Sequence, residues 1–307
     1  RYPQPFQGNK RDLVLMETVP IRFNRVLLHM TSFARRFRVT AGGIFFSLLA
    51  ARLPISAAEP PPPARQLPRL SIAFLIDASG SMKQNDALGI RKAATQAAIS
   101  LLSAQDEIAI LEFGSEGRIL TAPGEGQWLA ANEYEKIFQV IDKVGGDQQF
   151  TDFRSALVEA SRAFESCAEG TRKVIVLLTD GILEPNPMDE AYSPHSYSYR
   201  LATANASREK RRQLNEEYRQ RLTPVASRMI HEESLPRLVA DGIEVFTVAL
   251  SANADQQFLK VVADRTSRTP TELHSFYVED ATDLVKVFTA LIQYFTDRMI
   301  LYSDKGD

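Results

Sequence analysis

A single cysteine, Cys167, and four histidines in 307 residues leave this chain without the means for an intramolecular disulfide or a His/Cys metal cluster. An excess of one charge is also missing: 36 Lys and Arg face 38 Asp and Glu, a net −2, which excludes a polybasic nucleic-acid binder. No apolar run reaches the ~20 residues that a membrane-spanning helix needs. What is present, 44% hydrophobic and 24% charged residues, is the balance of a globular protein with a sizeable core.

The neutral average hides an asymmetry. Residues 1–58 carry nine basic and two acidic side chains (+7), which leaves 27 basic and 36 acidic (−9) for residues 59–307. Within the basic part, Arg35, Arg36 and Arg38 precede an apolar stretch over 39–51 that ends in the small residues Ser56, Ala57 and Ala58. That order is the order of a secretory signal peptide over 30–58, with cleavage near Ala58 and export to the periplasm or exterior. Met30 is the expected start, and residues 1–29 are an upstream segment outside the mature protein. Pro60 to Pro63 open a stiff linker over 59–69.

After the linker, residues 70–77 (LSIAFLID), 107–113 (EIAILEF), 173–180 (KVIVLLTD) and 243–250 (IEVFTVAL) are continuous apolar runs, with a weaker one at 272–278. Such runs read as strands buried on both faces. The spacing predicts helices over 87–103, 134–144, 153–168, 254–263 and 281–295, and 117–124 could form an antiparallel hairpin arm. Strands alternating with helices predict a doubly wound α/β domain over 70–300, with a mostly parallel central sheet flanked by helices. A tail over 301–307 follows, where the expectation is a truncated chain. One stretch breaks the rhythm. Residues 184–235 form a helical insertion after the fourth strand, loop-like at first and strongly charged from Ser207 to Arg221 (SREKRRQLNEEYRQR). Its charges read as a solvated helix face with pairs such as Glu217 to Arg221. Tyr192, Tyr197 and Tyr199 could face a partner, Trp128 is expected at a helix start, and Cys167 is expected to be buried.

In an open α/β sheet, ligands bind at the carboxyl ends of the strands. Just past the first strand end stand Asp77, Ser79, Gly80 and Ser81; past a later one stand Thr179, Asp180 and Gly181; between them Thr151 precedes a helix. Singly, the serines read as helix caps and Asp180 as a turn residue. Together they make two carboxylates and three hydroxyls, an all-oxygen set that suits a hard divalent cation, Mg²⁺ first, with Mn²⁺ or Ca²⁺ as alternatives.

These motifs, DASGSM over 77–82, TDxxxAL over 151–157 and LLTDG over 177–181, resemble the von Willebrand factor type A (VWA) domain and its metal-ion-dependent adhesion site. The resemblance covers about 69–295 apart from the insertion and implies a Rossmann-like fold. It implies that Ser79 and Ser81 bind the cation directly and that Asp77, Thr151 and Asp180 bind directly or through water. It also implies adhesion instead of catalysis, with no enzyme activity: a protein partner supplies an Asp or Glu carboxylate to the metal. The family's usual GlyGlyThr approach is lengthened here to GlyGlyAspGlnGlnPheThr over 145–151. A Mg²⁺-dependent hydrolase and a scaffold subunit with a purely structural metal are the alternatives.

Overall fold

Eight consecutive buried residues, Leu70–Asp77, form strand β1 at the centre of the sheet. Side chains alternate across a strand, and the core divides accordingly. Leu70, Ile72, Phe74 and Ile76 join one hydrophobic cluster, whereas Ala73 and Leu75 join the other. A run that is apolar at most positions, without polar alternation, is therefore a strand covered on both faces. The computed structural model describes residues 69–121, 128–269 and 273–304. The expected upstream segment, signal peptide and all but the last residue of the linker lie outside these residues.

Strand β2 (Glu107–Phe113) runs parallel to β1 on one side, and β5 (Arg172–Thr179) runs parallel to it on the other. Next come β6 (Ile243–Leu250) and the edge strand β7 (Ser275–Val278), both parallel. Strand β3 (Gly117–Ile119) returns antiparallel along the outer edge of β2, as the hairpin expectation required. Strand β4 (Leu129–Ala130) pairs with Glu107 and Ile108 farther along β2. Two residues carry no periodicity, so β4 is invisible in the sequence, and the insertion follows the fifth strand instead of the fourth.

Helices α1 (Met82–Asn85), α2 (Ile90–Ile99), α3 (Tyr134–Asp142) and α9 (Leu284–Asp304) cover the face of Phe74. Helices α4 (Phe153–Ala163), α5 (His195–Thr203), α6 (Arg208–Met229), α7 (Leu235–Ala240) and α8 (Gln256–Thr266) cover the face of Leu75. Helix α2 starts later than its apolar pattern because the Asp86 carboxylate accepts the N–H groups of Ile90 (2.6 Å) and Arg91 (3.2 Å), and Gly89 turns the chain at φ +67°. Helix α9 runs on to Asp304, past the expected end of the domain.

Helix α6 is capped by Ser207, whose hydroxyl accepts the Lys210 N–H. It touches the core along the stripe Leu214, Tyr218, Leu222 and Ala226 and exposes its charges elsewhere, including the Glu217–Arg221 pair at 2.6 Å. It passes through Pro224 and ends in a wider turn over Ile230–Ser234 before α7. Three expectations need correction. Tyr192 and Tyr199 are buried and only Tyr197 faces solvent, because α5 packs one side on α6 with Tyr199 edge-on to Tyr218 at 5.1 Å. Trp128 sits against Phe164 just past the end of α4, its indole donating to the Ala163 carbonyl at 2.9 Å, and not at a helix start. Cys167 is only half-buried, since the helix it was expected to end has already given way to an extended residue.

At the amino ends of β5 and β6 the sheet buries a charge. Glu244 accepts from Arg172 at 3.0 and 3.2 Å, with Arg268 at 3.3 Å and His274 at 3.6 Å. Burial alone would raise its carboxyl, but the neighbouring His274, the hydrogen bonds and charge of Arg172 and the charge of Arg268 bring it down to about 2. A carboxyl depressed in the folded state contributes stability that is complete above the unfolded value of 4.5 and is lost as pH falls toward 2. Glu244→Gln should therefore lower the unfolding free energy in urea by about 2–3 kcal/mol at pH 7 and by far less at pH 2.5. An equal cost at both pH values would refute this account.

Candidate metal centre

The ladder between β1 and β5 pairs Ile76 with Leu178, so the two strands end side by side. Asp77 thereby comes to rest beside Thr179, whose hydroxyl donates to Asp77 Oδ2 at 2.5 Å. The other oxygen, Oδ1, accepts the Ser79 N–H at 2.7 Å, which draws the chain into a turn. Ser79 Oγ lies 3.0 Å from Ser81 Oγ, and the Ser81 hydroxyl donates to Asp180 Oδ1 at 2.8 Å. Asn85, on α1, donates to Asp180 Oδ2 at 2.8 Å. Asp77, Ser79, Thr151 and Asp180 are all at most 3% exposed, and Ser81 opens the cluster to solvent.

Thr151 arrives from a different loop. Gly80 donates to the Gln148 carbonyl at 2.8 Å and Gln148 to that of Ala78 at 3.1 Å, which lays the lengthened loop along the β1 turn. Its root is held by Arg91, buried against Asp86 at 2.5 Å and donating to the Gly145 carbonyl at 2.6 Å, and by Glu112, which accepts the Gly145 N–H at 2.9 Å. Thr151 then stands against Gly181: a Cβ there would lie 3.2 Å from Thr151 Oγ1 and 3.4 Å from its Cγ2, so any side chain at this position would press on the Thr151 side chain. All five residues expected from the sequence, Asp77, Ser79, Ser81, Thr151 and Asp180, are brought to one crevice. Two contributors, Asn85 and Asp152, were not expected there. Asn85 is revealed only by the helical turn after Ser81, whereas Thr179 was read at the strand end and only its bond to Asp77 depends on strand register. Asp152 caps α4 through the Ser155 N–H at 3.1 Å, and an Asp just ahead of a helical run was a readable sign of it.

Electrostatically the cluster is short of positive charge. Burial, and then the neighbouring Asp180 charge, push Asp77 up to about 6. Burial also raises Asp180, against the donors Asn85 and Ser81. Among the described residues no group of three or more His, Cys, Asp or Glu gathers to hold a metal. Apart from Thr179, whose hydroxyl is spent on Asp77, the oxygens present are two carboxylates and the hydroxyls of Ser79, Ser81 and Thr151, and such a set fits a hard divalent cation, whose charge would offset the carboxylate repulsion.

The sequence profile of the von Willebrand factor type A domain matches residues 71–290. No curated protein matches the chain. Solved structures similar to it include a von Willebrand factor type A protein from Catenulispora acidiphila, at 18% identity and TM-score 0.50, covering 73% of this chain and 42% of that one. The vWF domain of the type V pili tip protein Mfa5 from Porphyromonas gingivalis matches at 13% identity and TM-score 0.51, over 76% of this chain and 97% of its own. A mutant of the PilB minor pilin from Streptococcus sanguinis matches at 15% identity and TM-score 0.52, over 80% and 65%. At these identities the likeness is one of fold, and the chain spans less than half of the first of these proteins.

In chelator, an Asp77 carboxyl raised from 3.8 to about 6 keeps a proton between those values that the unfolded chain has already released. Stability conferred by Asp77 is thus greatest below about pH 4 and falls as pH rises to 6. Asp77→Asn has no such proton to lose. From pH 4 to pH 7 the unfolding free energy of the wild type should drop by about 2–3 kcal/mol relative to the variant. A difference that stays constant over that range would show that Asp77 is not buried without a counter-charge.

Proposed function

The chain belongs to the von Willebrand factor type A domain family, and we propose that it is a divalent-cation-dependent protein-binding module that works outside the cytoplasm. The observation that carries this reading is the meeting of two buried carboxylates, Asp77 and Asp180, at the carboxyl ends of β1 and β5 with the hydroxyls of Ser79 and Ser81 and with Thr151 from the loop before α4. Ser79 and Ser81 would ligate the cation directly, and Asp77, Thr151 and Asp180 directly or through water. Mg²⁺ is the expected ion, with Mn²⁺ or Ca²⁺ able to take its place. A bound cation would supply one coordination position that an external carboxylate oxygen can fill. The partner is accordingly a protein presenting an Asp or Glu.

Binding is favoured over catalysis by what surrounds the crevice. Asp77 and Asp180 are engaged by Thr179, Ser79, Ser81 and Asn85, and His274 is committed to Glu244 at the opposite ends of the strands. No helix among the described residues is long and apolar enough to cross a membrane. The basic, apolar and small-residue succession over 30–58 supports export to the periplasm or exterior.

Titration with Mg²⁺ should raise the thermal midpoint of the wild type, by the equivalent of about 2.7 kcal/mol at a hundredfold excess over Kd, and should leave Ser79→Ala unmoved. Pull-down from envelope extracts should recover a partner with Mg²⁺ present, and lose it with chelator or with Asp180→Ala. Equal recovery with and without metal would sink the adhesion-site reading. Phosphoester hydrolysis that disappears in Ser79→Ala would favour an enzyme instead.

A further inference from the structure

The insertion leaves the sheet directly after Asp180, and its first residues are bonded back to the loop that carries Thr151. Thr151 donates its N–H to the Glu184 carbonyl at 3.1 Å and accepts the Glu184 N–H at 3.0 Å, so both of its backbone polar groups are held by the insertion. The next residue, Asp152, is fully buried. Its Oδ1 caps α4, while its Oδ2 accepts the Asn186 N–H at 2.9 Å. The Tyr192 hydroxyl donates to the same carboxylate, 3.0 and 2.9 Å from its two oxygens, from a side chain that is 1% exposed. Asn186 also reaches across to the Ser115 carbonyl at 2.9 Å, beyond the end of β2. A helix cap requires one carboxylate oxygen. Here the second oxygen and a buried tyrosine hydroxyl join the cap to the insertion.

We propose that Asp152 and Tyr192 are positioning residues through which the insertion sets the place of the Thr151 hydroxyl, and hence the cation affinity of the crevice. The inference rests on the cation-binding reading above. Tyr192 acts at one remove: it holds Asp152, which follows Thr151 directly in the chain, Glu184 pairs with both polar groups of the Thr151 backbone, and Thr151 presents its hydroxyl beside Gly181. Partners one shell out from a ligand orient it, and their loss commonly weakens a metal site by about 10–100-fold.

Mn²⁺ titration of the full chain, followed by calorimetry, tests this. Tyr192→Phe keeps the ring and removes the hydroxyl, and it should weaken Mn²⁺ binding by about tenfold. Asn186→Ala keeps the backbone N–H on Asp152 but removes the amide bond to the Ser115 carbonyl that anchors it there, so it should weaken binding by a smaller factor, and it serves if Tyr192→Phe does not fold. A purely structural role would lower the cation-free unfolding midpoint without changing affinity. The deciding comparison is on the Thr151→Ala background, where adding Tyr192→Phe should cost no further affinity because the group it positions is gone. Wild-type affinity in both Tyr192→Phe and Asn186→Ala, or an undiminished tenfold loss on the Thr151→Ala background, would overturn the positioning role. If Ser79→Ala abolishes binding while both insertion variants bind normally, the positioning role alone falls. If the wild type binds no Mn²⁺, the cation-binding reading falls with it.

Discussion

Two carboxylates held at the ends of adjacent parallel strands are the constraint on which this molecule turns. The register of β1 against β5 brings Asp77 and Asp180 together, and the strands are buried on both faces, so neither acid can relax into water. A pair of buried like charges is costly unless it is protonated, hydrogen-bonded or offset by a cation. The surrounding residues supply donors in quantity, from Thr179, Ser79, Ser81 and Asn85, but no cationic side chain in direct contact among the described residues. Hydroxyls can turn their lone pairs toward a metal as readily as they turn their protons toward a carboxylate. The arrangement is therefore stable enough to fold and remains suited to a divalent ion.

The other end of the sheet handles a buried acid in the opposite way. Glu244 is surrounded by Arg172, Arg268 and His274, and its carboxyl is driven down, whereas Asp77 is driven up. The same burial acts on both. What differs is whether the fold provides positive charge, and that contrast separates an ion cluster with internal compensation from a crevice suited to an external one.

Around the crevice, much of the irregular structure serves position. Gly181 admits Thr151, Arg91 and Glu112 anchor the lengthened loop at Gly145, and the Gln148 backbone pairs with the turn after β1. The insertion adds a further layer, with Glu184 pairing to Thr151 and Tyr192 bonded to Asp152. Its long helix, by contrast, meets the core along a narrow stripe and leaves its charge in water.

Local sequence determined the strands β1, β2, β5 and β6, because a strand buried on both faces is largely apolar throughout, and it pointed to the five candidate oxygen ligands, because Asp77, Ser79, Ser81 and Asp180 stand at strand ends and Thr151 just ahead of a helix. It also made α6 legible through its charge and its cap at Ser207. The sequence could not disclose β4, too short for a period, or the burial of Tyr192 and Tyr199, which depends on helices packing upon one another. Nor could it disclose Asn85, the bond from Thr179 to Asp77 or the link from Tyr192 to Asp152. Those contacts join residues 40 to 102 positions apart. Only strand register and loop closure bring such residues within a hydrogen bond's length, and these are properties of the whole sheet instead of any one segment.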